Sequence, residues 1–67
     1  MKICDFTVPE LNYFREQCNF TPDELTYFNL KATDMSIVEI SMQMNVSEAK
    51  VSVLARKVKN KMLRVIK

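Results

Sequence analysis

From Ser36 onward the apolar residues return every three or four positions. Ile37, Ile40 and Met44 form one stripe, and Val51, Leu54, Val58, Met62 and Val65 form a second. Each stripe has its own start signal. Ser36 and Glu39 have the spacing of a capping box, in which the serine hydroxyl and the glutamate each satisfy a backbone N–H of the first turn. Ser47 precedes Glu48, a second N-cap with an acid where the helix dipole favours one. Between them lies Met44-Asn45-Val46, and Asn45 is the residue there that enters left-handed backbone readily enough to end the first helix. The pattern predicts helices over 37–44 and 48–66 joined by a tight turn. That is a helix-turn-helix, whose second helix is the one that usually enters the DNA major groove.

The earlier part of the chain is also helical by pattern. Thr7 and Glu10 predict a capping box opening a helix over about 8–18, with Leu11, Phe14 and Cys18 on one face and Val8 beside them. Asn12, Glu16 and Gln17 are expected to face water, and Asn19 to end the helix. Thr21-Pro22-Asp23-Glu24 predicts the next start: a threonine cap, proline at the first helical position and glutamate in the box. Phe20 and Leu25 have the spacing of a hydrophobic staple across that cap. The helix over 22–32 is apolar around most of its circumference, with Leu25, Phe28 and Ala32 on one side and Tyr27 and Leu30 on another. It therefore needs neighbours on two sides. Residues 1–6 read as a tail or a short extended segment. No strand pattern occurs, so the expected fold is one all-α domain over 7–67, four helices ending in a helix-turn-helix with a long final helix.

These signals lie in one register. Phe20-Thr21-Pro22-x-Glu24 is followed by Phe28, Leu30 and Ala32, then Ser36-x-x-Glu39-Ile40, then Met44-Asn45-Val46-Ser47-Glu48 and Val51. Over about two-thirds of the chain this resembles the helix-turn-helix of LuxR-type (GerE-like) response regulators and the fourth region of bacterial sigma factors. The resemblance implies a bacterial or phage transcription regulator, with the first half of the last helix, Glu48 to Lys57, entering the groove. Three positions depart from the pattern. Asn45 stands where those families usually carry glycine, and Ser41 where alanine is common. Val38, Met42 and Gln43 occupy surface positions that are often basic, which bears on phosphate contact by the first helix of the pair.

Charge sharpens the picture. The 67 residues carry a net +2, but unevenly. Residues 1–49 hold all eight acids against Lys2, Arg15 and Lys31, a balance of −5. Residues 50–67 hold Lys50, Arg56, Lys57, Lys59, Lys61, Arg64 and Lys67 with no acid, a balance of +7. The cations able to meet a polyanion thus sit on the helix that the turn nominates for DNA. Composition excludes more than it adds. There is no histidine, no glycine and no CxxC, so catalytic constellations, phosphate-cradling loops and a zinc site are not expected, and Cys4 and Cys18 read as reduced thiols. No apolar run approaches the roughly 20 residues of a membrane span, and no signal-peptide pattern opens the chain, so a cytoplasmic protein is expected. The reading is therefore not an enzyme, with no cofactor, metal or small-molecule ligand. The 48% hydrophobic content suffices for a compact core, which the five methionines make adaptable.

At 100° per residue with Val51 inward, the outward face of the last helix holds Ala49, Val53, Arg56 and Asn60. Lys50, Lys57 and Arg64 run down one flank, Ser52 and Lys59 down the other. Ala49 and Val53 suit thymine methyls, Arg56 or Lys50 suits guanine, and the basic flanks suit phosphates. The expected DNA-contacting set is Ser47, Glu48, Ala49, Lys50, Ser52, Val53, Arg56, Lys57, Asn60 and Arg64, with Glu48 more readily read as a complement to the helix dipole. The competing class is a protein-interaction module. Val38 and Met42 on the third helix, or Leu63 and Ile66 at the end of the fourth, are expected outward and suit a homodimer or an RNA polymerase contact. Double-stranded DNA is the expected principal partner.

Overall fold

The computed structural model describes residues 3–66. A 3₁₀ turn, η1 (Ile3–Asp5), precedes four α-helices: α1 (Val8–Gln17), α2 (Pro22–Ala32), α3 (Ile37–Met44) and α4 (Glu48–Ile66). The domain is all-α, with no strand among the described residues. Met1, Lys2 and Lys67 lie outside the described residues, and with them the start of the expected tail and the end of the basic run.

The start signals act as local chemistry dictates. Thr7, Thr21 and Ser36 each cap a helix in extended backbone, and Glu10, Glu24 and Glu39 each return a carboxylate oxygen to the cap N–H, so all three capping boxes are closed. At α4 the Ser47 Oγ accepts from the Lys50 N–H at 3.2 Å. The stops follow one rule as well. With no glycine in the chain, the left-handed positions after α1, α2 and α3 fall to Asn19 (φ 51°), Asp34 (φ 64°) and Asn45 (φ 56°). Asn and Asp tolerate this region best among residues bearing a Cβ. After α3 the Asn45 N–H reaches the Met42 carbonyl and the Val46 N–H reaches back to Ser41, the double closure of a Schellman turn.

α2 and α4 form the spine. α4 runs about 28 Å at 1.5 Å per residue, close to the full 31 Å length of the molecule. It packs on α1, α2 and α3, while α2 also meets η1 and α3. Phe28, Ile40, Val51, Val58 and Met62 are completely buried where these helices meet. Phe14 and Phe20 flank Phe28, with ring centroids 6.5 and 5.0 Å away, and Arg15 lies over the same ring at 5.4 Å. Met44, Val46 and Val65 complete the interior as half-buried side chains.

Four expectations need correction. Residues 3–6 are not a loose tail, because Ile3 is buried in the core and Phe6 makes an edge contact with Phe14 at 5.0 Å. A segment this short has no period to read, yet one isoleucine is enough to seat it. Val8 is 68% exposed rather than beside Leu11. Leu25 stands at the surface while Glu24 is buried in its stead. Ile37 is exposed too, leaving Ile40 and the half-buried Met44 to carry the α3 stripe.

Candidate nucleic-acid interface

α3 and α4 are joined by Asn45, Val46 and Ser47 alone. Val51 and Leu54 bury the inner face of α4's first half, which fixes what its outer face presents. Ser47, Glu48, Ala49, Lys50, Ser52, Arg56, Lys57, Asn60 and Arg64 are all exposed. Val53 is half-buried, so its methyls are only partly available on this face. The site residues expected on α4 are thus accessible, Val53 only in part, with short side chains toward the turn and cations around and beyond them. The four expected partner-binding residues are exposed as well: Val38 and Met42 on α3, Leu63 and Ile66 near the end of α4. α3 itself contains no basic residue.

The electrostatics of α4 follow from one pairing. Among the described residues the structure contains a single salt bridge, from Lys61 to Glu24. Lys61 Nζ donates to Glu24 Oε1 and, at 3.3 Å, to the backbone carbonyl of Asn19. The same Glu24 oxygen accepts the Thr21 N–H at 3.0 Å, so one buried carboxylate serves the α2 cap and the α2–α4 seam together. Burial pushes the Glu24 carboxyl up, but the Lys61 and Thr21 hydrogen bonds and the Lys61 charge outweigh it, and the net displacement is downward. Lys50, Arg56, Lys57, Lys59 and Arg64 are exposed, and none of them forms a salt bridge among the described residues. Of α4's charges, then, Lys61 belongs to the fold, and these five remain available to a polyanion.

Glu24 and Lys61 were missed as a pair, although their spacing held the signal. Glu24 lies three and four residues before Tyr27 and Phe28, and Lys61 three residues after Val58. Both therefore share a face with core residues. Burial raises the Cys18 thiol, against a smaller opposing effect of Lys61, and burial also raises the Tyr27 phenol. Neither group is activated as a nucleophile at neutral pH. Among the described residues no cluster of His, Cys, Asp and Glu could hold a metal ion, and no helix is long and apolar enough to cross a membrane.

Fold and site together define a class: a small all-α domain whose short-turn helix pair presents a cation-bearing second helix. Compared with protein-family models, curated proteins and solved structures, the chain matches none.

Proposed function

We propose that this domain binds double-stranded DNA and acts as a sequence-specific transcription regulator, with the first half of α4 in the major groove. The observation that carries this reading is the placement of five exposed cations, in no salt bridge among the described residues, on the helix that follows the three-residue turn. Phosphate attraction supplies most of the affinity of such a surface, and base edges supply its selectivity. Arg56 and Lys50 are the guanine-reading candidates, and Ala49 with the accessible part of Val53 meets thymine methyls. Lys57 and Arg64 hold phosphates along one flank. Glu48 complements the helix N-terminus. The resemblance to LuxR-type and sigma region-four helix-turn-helices belongs to the same proposal, as does action in the cytoplasm of a bacterial or phage-infected cell. Selection from a random duplex library tests it. An enriched motif that Arg56→Ala relaxes at one position supports the reading, and a library that stays random contradicts it.

A second reading is supported by α3. Its outer face exposes Val38 (51%) and Met42 (75%) and offers no cation to a phosphate. This suits a domain that docks on a polymerase or another regulator through α3 without touching DNA.

A further inference from the structure

Among the described residues, four of the eight exposed large apolar side chains belong to two helices: Val8 and Tyr13 on α1, and Leu63 and Ile66 near the end of α4. Tyr13 and Ile66 line an open groove of about 460 Å³, together with Phe6, Pro9, Glu10 and Phe14. Val8 adjoins Pro9 in the chain, and Leu63 stands one turn before Ile66. Single exposed apolar residues are ordinary, but a gathered set around a concave surface marks an interaction site.

We propose that this groove and the adjacent end of α4 form a two-fold interface with a second copy of the chain. Helical spacing sets the two halves of the contact. On α1, Pro9, Tyr13 and Glu16 recur at three-to-four spacing, an apolar strip ending in an acid. On α4, Lys59, Leu63 and Ile66 do the same, an apolar strip ending in a cation. Each strip is the complement of the other in both polarity and charge sign. Because ridge and groove lie side by side on one molecule, a two-fold axis lets each copy's Leu63 and Ile66 cover the partner's Pro9 and Tyr13. Lys59 then faces Glu16 across the interface, and the pairing occurs twice. A contact of this kind closes at two copies, whereas patches on opposite sides of the molecule would build a chain without end. The domain's uneven charge works in the same direction, since α1, from the acidic part of one copy, meets the basic last helix of the other.

The interface does not depend on DNA binding and is tested without DNA. Sedimentation equilibrium of the full chain, from micromolar to millimolar concentration, is expected to show a monomer–dimer equilibrium. Ile66→Glu and Tyr13→Glu each weaken it by at least about tenfold, as loss of a central apolar anchor does. Met42→Glu, an equally exposed position on α3, leaves it unchanged. Lys59→Glu and Glu16→Lys each weaken the dimer, and the two together restore it. Circular dichroism confirms that each variant keeps its helices. A protein that stays monomeric throughout, or assembles into an open-ended series, overturns the proposal. So does a dimer more sensitive to Met42→Glu than to Ile66→Glu.

Discussion

Lys57, Lys61 and Arg64 occupy the same flank of α4 within two turns, yet they do different work. Lys61 lies inward, its side chain 28% exposed, against a Glu24 carboxylate that is 5% exposed. Lys57 and Arg64 reach solvent and form no salt bridge among the described residues. A cation's value to a polyanion depends on what already neutralises it. The seam takes one of α4's charges and uses it to hold the helix against α2 and the Asn19 turn. The remaining charges are available because the acids of the first three helices are spent on caps or lie elsewhere. Stability and recognition are thus divided between neighbouring residues of like charge.

The largest effect should come from breaking the seam. Lys61→Met leaves the Glu24 carboxylate buried without its cation, at a cost of roughly 3 kcal/mol in urea unfolding. Lys57→Met, one turn away, should stay within about 0.5 kcal/mol of the parent. Glu24→Gln added to Lys61→Met should recover most of the loss, since glutamine still serves the Thr21 box and brings no charge. Equal urea midpoints for Lys61→Met and Lys57→Met would erase the distinction between the two lysines. Acid titration probes the same group. Glu24 is displaced downward in the folded state, so its stabilisation is fully present above its unfolded value, about pH 4.3. That contribution disappears as pH falls through the lower folded value. Stability measured between neutral pH and strong acid should therefore fall less steeply in Glu24→Gln than in the parent protein.

The next effect belongs to the solvent side. Lys57→Glu with Arg64→Glu should keep the melting temperature and weaken binding to all duplexes alike, by about 2 kcal/mol at low salt, with two fewer phosphate contacts in the salt slope. A smaller effect tests the turn that aims α4. Asn45→Val forces a β-branched residue into left-handed backbone and should cost on the order of 1–2 kcal/mol. Asn45→Gly should be neutral or slightly stabilising by the same measurement. Smallest of all, Val38→Lys with Met42→Arg should leave DNA affinity unchanged or slightly higher. If that pair abolishes function in the cell while DNA binding persists, α3 is the docking face of the second reading.

The local grammar of the chain was legible because it depends on neighbours three or four residues away. The caps at Thr7, Thr21 and Ser36, the stop at Asn45 and the buried stripe from Val51 to Met62 all follow from such spacing. Burial that depends on distant residues was not. Glu10 and Glu24 occupy the same box position in similar four-residue starts, yet Glu10 is exposed and Glu24 is enclosed. Only Lys61, 37 residues away, makes Glu24's burial tolerable. Ile3 was illegible for a different reason: a single apolar residue has no period, and its place comes from the gap it fills beside α2. Asn45 was expected in left-handed backbone and takes it, as does Asn19 after α1, whereas nothing in the local spacing marked Asp34 for the same conformation. On α4, spacing placed the outward residues correctly except for Val53, which is half covered. It could not identify Lys61 as the cation that is already engaged.

The most direct test is the salt dependence of affinity for a random-sequence duplex, followed by fluorescence anisotropy. If about five free cations on α4 meet phosphates, the logarithm of the affinity should fall against the logarithm of salt with a slope of about −4 to −5. In Lys57→Glu with Arg64→Glu it should flatten to about −2 to −3. Affinity that hardly changes between low and physiological salt, in the parent protein and the double variant alike, would contradict the assignment of α4 as a DNA-binding helix.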